Sequence, residues 1–140
     1  MVPMLGPLLA IILMASISPK PGRALQIGQE WEFTARPGDP HPTLVIVRMD
    51  SLPKVGEVIH VSIRGVRLRN PRAPGGYSDQ MAHMPFSRTA LEGSLTRLLH
   101  ESVPLPDFED GYAQWKSARG GAFAISVREA LDFMEKTLSQ

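Results

Sequence analysis

Between Glu30 and Arg69 the apolar residues of this chain mostly alternate with polar ones, whereas beyond Ser87 they recur every three to four positions. A segment of period two buries one face as a strand, and a segment of period 3.6 buries one face as a helix. Strands therefore come first and helices second. That order, rather than an alternation of the two, argues for an antiparallel sheet with helices laid on it. The expected class is α+β, a curved antiparallel sheet of three to four strands with about three helices packed on it.

The elements follow from particular residues. Glu30-Trp31-Glu32-Phe33-Thr34-Ala35-Arg36 alternates strictly, which turns Trp31, Phe33 and Ala35 toward a core. Arg36-Pro37-Gly38-Asp39-Pro40 is a dense turn signal, and Thr43 to Met49 is an apolar, β-branched run suited to a central strand covered on both faces. After a second turn over Ser51–Gly56, a third strand runs from Glu57 to about Arg69. Its parity changes partway, because Ile59, Val61 and Ile63 occupy odd positions and Val66 and Leu68 even ones. A β-bulge at Arg64-Gly65 would turn both sets to the same side, and glycine accepts the backbone angles a bulge needs. The three strands are expected to form a meander.

Asn70 to Phe86 contains three prolines and two adjacent glycines, so it is expected to be a long loop. Ser87 or Thr89, the latter with Glu92 in a capping box, is expected to open a helix carrying Leu91, Leu95 and Leu98. Phe108, Tyr112 and Trp115 mark a second helix ended by Gly120-Gly121, and Ala122–Ile125 a short fourth strand. A second capping box, Ser126 with Glu129, opens a last helix whose Val127, Ala130, Leu131, Met134 and Leu138 make one apolar stripe. The helices are expected on one face of the sheet.

The beginning of the chain sets the expected compartment. No charged side chain occurs from Met1 to Pro19, and Leu5–Ile17 is an apolar run of signal-peptide length. It is shorter than the roughly 20 residues of a membrane span; Pro3 and Pro7 interrupt its start, and Pro19 and Pro21 close its end. Gly22-Arg23-Ala24 places small residues at the −3 and −1 positions. Residues 1–24 are accordingly expected to be a signal peptide, and residues 25–140 a single exported domain, periplasmic or secreted, without stable membrane insertion. The alternative is an uncleaved anchor, with a membrane-anchored or cytoplasmic domain, since Lys20 and Arg23 follow the run and no basic residue precedes it. Residues 25–140 carry 13 basic and 14 acidic side chains, which argues against nucleic acid as a partner. The absence of cysteine excludes disulfides, thiol nucleophiles and cysteine-ligated zinc.

Trp31 to Asp39, the run Leu44–Val47, the segment Val55–Arg67, the Ala73-Pro74-Gly75-Gly76 loop and the helix start from Met84 to Glu92 (M-P-F-S-R-x-A-L-E) together resemble small bacterial proteins. Those proteins open with a W-x-aromatic-x-x-R strand and carry an apolar-His-apolar strand after it. The resemblance implies a bacterial origin; no activity is attached to such proteins, so it transfers no catalytic residue.

Chemistry is read from residue types. His41, His60, His83 and His100 have no local metal-ligand spacing, so neither a metal nor another cofactor is expected. His60, on the strand face of Val58 and Ser62, is expected to be hydrogen-bonded and partly buried, and His100 to sit at a helix C-terminus. Ser51-Leu52-Pro53-Lys54 matches S-x-x-K in a turn where such enzymes need a helix, and no phosphate-cradling glycine motif occurs. Glu30 and Glu32 share a strand face as ordinary solvated charges.

Two groups stand out as ligand or partner surfaces. Tyr77, Ser78, Asp79 and His83 concentrate donors, acceptors and stacking surface in the long loop. Arg64, Arg67, Arg69 and Arg72 are the densest charge cluster; Arg67 and Arg69 share a face that holds an anionic ligand, or else the cluster is a charged outer strand that discourages edge pairing or a match to the acidic helix bearing Asp132 and Glu135. The leading expectation is a non-enzymatic binding or assembly domain with a protein or small-molecule partner and no assigned catalytic residue. A small hydrolase or lyase using His83 with Ser78 or Asp79 is second, and an anion-binding module built on Arg64–Arg72 third.

Overall fold

The computed structural model describes residues 24–140, so all but the last residue of the expected leader, residues 1–24, lies outside the described residues. Strands β1 (Glu30–Phe33), β2 (Thr43–Leu52) and β3 (Gly56–Arg69) form the anticipated meander. Two further strands complete an antiparallel sheet of five: β4 (Tyr77–Ser87) pairs with β3, and β5 (Leu95–His100) pairs with β1, giving the order β4-β3-β2-β1-β5. The class is α+β as expected, with one strand more than the upper count.

The bulge lies at Gly65. Its φ is +79°, its carbonyl accepts the His41 N–H at 3.2 Å, and the ladder to β4 jumps from Arg64–Gln80 to Leu68–Ser78. Val66 and Leu68 thereby return to the side of Ile59, Val61 and Ile63, and all five are buried in one cluster with Trp31, Phe33, Leu44 and Ile46.

Most of the expected loop is strand: only Asn70–Gly76 turns, ending in a single 3-10 turn over Pro74–Gly76. Pro85 is tolerated because its nitrogen lies on the outer side of β4, the side on which its carbonyl accepts the Phe123 N–H at 2.9 Å, so the ladder to β3 loses no donor. The helix expected through Leu98 also ends early. Helix α1 spans Arg88–Ser94, capped by Ser87, whose hydroxyl accepts the Ala90 N–H. Leu95 and Leu98 then face Phe33 and Trp31 from β5 across a twice-bulged pairing, and the bulge between Leu95 and Arg97 lets residues three apart turn to the same side. His100 accordingly ends a strand, where its Nδ1 meets Glu30 at 2.9 Å. Ala122–Ile125 contributes one parallel bridge, Phe86–Phe123, and no strand.

Helices cover both faces, not one. Helix α3 (Val127–Leu138), opened by the Ser126–Glu129 capping box, seats Val127, Ala130 and Leu131 on the core face beside α1. Helix α2 (Glu109–Ser117) lies on the opposite face and lays Tyr112 and Trp115 against His60. Double coverage explains why Leu44, Val45, Ile46 and Val47 are all buried. The acidic side of α3 is held by Arg36: its guanidinium, 7% exposed, grips both oxygens of Asp39 and reaches Asp132 and Glu135, each at 3.2 Å. Among the described residues no helix is long and apolar enough to cross a membrane.

Candidate functional site

Beneath α2 lies a network of polar rings. In the ladder between β2 and β3, Arg48 stands opposite His60 and Asp50 opposite Val58, which brings Asp50 to the His60 side of the sheet. His60 Nε2 is 3.0 Å from Asp50 Oδ2, and His60 Nδ1 is 2.8 Å from Nε2 of His83, which arrives from β4. The Tyr112 hydroxyl donates to the same Asp50 oxygen at 3.0 Å, and the Arg48 guanidinium sits 4.5 Å from the Tyr112 ring centre. Trp115 closes over His60 edge-on, with ring centres 4.5 Å apart.

Proton placement follows from the carboxylate. Burial opposes the ionised form of Asp50, but the hydrogen bonds from Tyr112 and His60 and the charge of Arg48 outweigh it and hold its carboxyl below the usual range. An ionised Asp50 only accepts, so the His60 proton is on Nε2, His60 Nδ1 accepts, and His83 donates from Nε2. Burial lowers the pKa of His60 despite the neighbouring carboxylate. Burial, reinforced by the proximity of His60, pushes His83 down to about 4. Both imidazoles are neutral at pH 7. His60 has spent both nitrogens, and among the described residues no group of three or more His, Asp or Glu side chains is arranged to hold a metal ion.

This arrangement sets a pH dependence. In the unfolded chain both histidines take up protons near the ordinary value of 6.5, and in the fold only at lower pH. The unfolded state therefore binds more protons below that value, so stability is complete above about pH 7 and is lost as pH falls toward 4. Chemical denaturation at pH 7.5, 5.5 and 4.5 should show falling midpoints. His83→Gln, which keeps a donor toward His60 but does not titrate, should flatten the decline; an equally steep decline in that variant would place its origin elsewhere.

The second feature is an open cleft of about 700 Å³ where the bulge of β3 meets the start of β4. Arg67, Tyr77, Ser78, Asp79 and Gln80 line it. The Arg67 guanidinium stacks 3.8 Å from the Tyr77 ring centre, and Asn70 Nδ2 donates to Ser78 Oγ at 2.9 Å. Four of the six residues expected to form a ligand or partner surface thus converge: Arg67, Tyr77, Ser78 and Asp79. Arg69 does not line the cleft; its backbone N–H binds Glu135. His83 belongs to the half-buried network under α2 and is not brought to Ser78 or Asp79, because four steps along the strand set it roughly 13 Å from Asp79. Nor do the four arginines converge, since Arg64 binds Glu30, Arg67 stacks on Tyr77, and Arg72 donates to the Leu138 and Gln140 carbonyls.

Sequence reasoning missed Asp50, Arg48, Tyr112 and Trp115 as neighbours of His60. The available signal was parity across the second turn, which sets Arg48 and Asp50 on the face of Val58 and His60. Comparison with protein-family models, curated proteins and solved structures finds no match. Fold and site alone define the class: an α+β domain with a five-stranded antiparallel sheet covered on both faces, a hydrogen-bonded imidazole pair on one face, its His60 buried and its His83 half-buried, and an open cleft at its edge strand.

Proposed function

We propose that this chain is a non-enzymatic binding domain that takes an extended polypeptide segment of a partner along β4. The observation that carries the reading is the unpaired outer side of this terminal strand beside the cleft. From Tyr77 to Met84, β4 hydrogen-bonds through its backbone to β3 alone among the described residues, whereas Phe123 occupies the outer side at Pro85 and Ser87. An open edge offers a row of backbone donors and acceptors to an incoming strand, and neighbouring side chains supply selectivity. Tyr77 and Arg67, stacked at the cleft, are residue types that dominate binding energy at interfaces. The stretch Tyr77–Met81, opposite the bulge of β3 and ahead of the irregularity between Met81 and Met84, is long enough for such pairing. The leader belongs to the same proposal and makes the partner a periplasmic or extracellular one.

Panning a displayed library of short random peptides and mapping the selected peptides by amide hydrogen exchange tests it. Protection should appear at Tyr77–Met81, and Arg67→Ala with Tyr77→Ala should weaken binding about tenfold or more with little change in melting temperature. Peptides that protect β5 instead, or that bind the double variant unchanged, would refute the assignment.

A further inference from the structure

At the C-terminal end of α2, away from the edge of β4, an apolar hollow of about 440 Å³ opens against the turn between β2 and β3. Leu52, Pro53, Val55 and Trp115 supply its apolar lining, and Lys54, Lys116 and Arg119 its charge; no acidic residue lines it. All three cations are exposed, and among the described residues their side chains form no ion pair or hydrogen bond. Val55 is 46% exposed, so the apolar lining also lacks a cover.

The backbone at this hollow breaks a local rule. The Gly120 N–H returns to the Trp115 carbonyl at 2.8 Å and the Arg119 N–H to the Lys116 carbonyl at 3.1 Å, the paired bonds of a helix end whose central residue adopts left-handed angles. Glycine or asparagine ordinarily fills that position. Here it is Arg119, with φ of +52°, the one non-glycine residue at positive φ among the described residues, although two glycines follow immediately. A strained residue retained where an unstrained one is adjacent points to a role for its side chain. Trp115 is fixed in turn: its indole N–H donates to the Gly121 carbonyl at 2.7 Å, a Cβ on Gly120 would overlap its ring, and its other side rests on His60.

We propose that this hollow binds a small amphiphilic carboxylate, its apolar tail on Trp115 and Val55 and its carboxylate among Lys54, Lys116 and Arg119. The volume lies in the range of small-ligand sites. Three cations without a carboxylate partner give the charge complementarity, and the guanidinium fork of Arg119 matches a carboxylate in two bonds. The site is independent of the β4 surface.

Calorimetric titration of the full chain with decanoate, below its micelle concentration, tests the assignment against decyltrimethylammonium, which carries the same tail with the opposite charge. Decanoate should bind and decyltrimethylammonium should not. Arg119→Gly should leave the melting temperature unchanged or raised, because it relieves the backbone, and should weaken decanoate about tenfold. Equal binding of the two surfactants, no binding of decanoate, or an unchanged affinity in Arg119→Gly would overturn the proposal. Co-sedimentation with phosphatidylglycerol vesicles in the absence of decanoate binding would also overturn it, by showing that the cations serve a membrane surface.

Discussion

Replacing Gly65 by alanine is expected to destabilise the fold by about 3–5 kcal/mol, among the largest effects of any single substitution. Two costs add. At φ of +79° any L-residue loses about 1–2 kcal/mol. In addition, the new Cβ would overlap the backbone carbonyl of His41, with Pro42 Cα 3.1 Å away. This obstacle is not the end of a flexible side chain. The same segment is bound to Gly65 through the His41 N–H and enters β2 at Thr43, opposite Arg64, so yielding would open the β2–β3 ladder. Gly38 provides the control: its φ is +93°, but nothing lies within 4 Å of an added Cβ. Gly38→Ala should therefore cost only the conformational part, about 1–2 kcal/mol. Equal urea midpoints for the two variants would show that close approach at the bulge contributes nothing.

Arg36→Met should be comparably severe, about 3–5 kcal/mol, because it leaves a buried carboxylate without its cation. The Asp39 side chain is 1% exposed and receives two charge-assisted bonds from Arg36, at 2.9 and 3.0 Å. The same guanidinium binds Asp132 and Glu135 of α3 and the Arg67 carbonyl, so one side chain joins the end of β1, the bulged part of β3 and the last helix. Adding Asp39→Asn removes the stranded charge while an amide oxygen can still accept the Arg67 N–H that Asp39 accepts at 2.9 Å. The double variant should accordingly recover part of the loss. A double variant less stable than Arg36→Met would mean that the cost comes from lost packing of the arginine stem and not from the buried charge.

The difference between these two sites shows where sequence reading succeeds. Gly65 was legible because a parity change in an alternating strand has few remedies, and glycine beside it names one of them. Arg36 was not. It reads as the first residue of a turn, and its remote partners lie 96 and 99 positions away. The acidic face of α3 was recognised, but the cation assigned to it came from the Arg64–Arg72 cluster, which is nearer in kind and denser in charge. In the fold Arg69 meets that face through its backbone N–H and Arg72 through terminal carbonyls, because α3 crosses the bulged end of β3.

Local patterns in the chain determined β1 to β3, the Gly65 bulge, α2, α3 and the Ser126 cap, because each depends on periodicity or a capping contact within a few residues. Only the tertiary structure decided β4, β5 and the partners of His60. In β4, glycine and proline composition concealed a strand whose sole proline turns its nitrogen to the outer side, away from β3. In β5, the spacing of Leu95 and Leu98 suits a helix and a bulged strand alike, and pairing with β1 chooses between them. His60 and His83 stand 23 residues apart, and their contact is a consequence of the register between β3 and β4, with α2 laid across both. Register is a property of paired strands and not of either strand alone, which is the physical reason this part of the protein was settled only by folding.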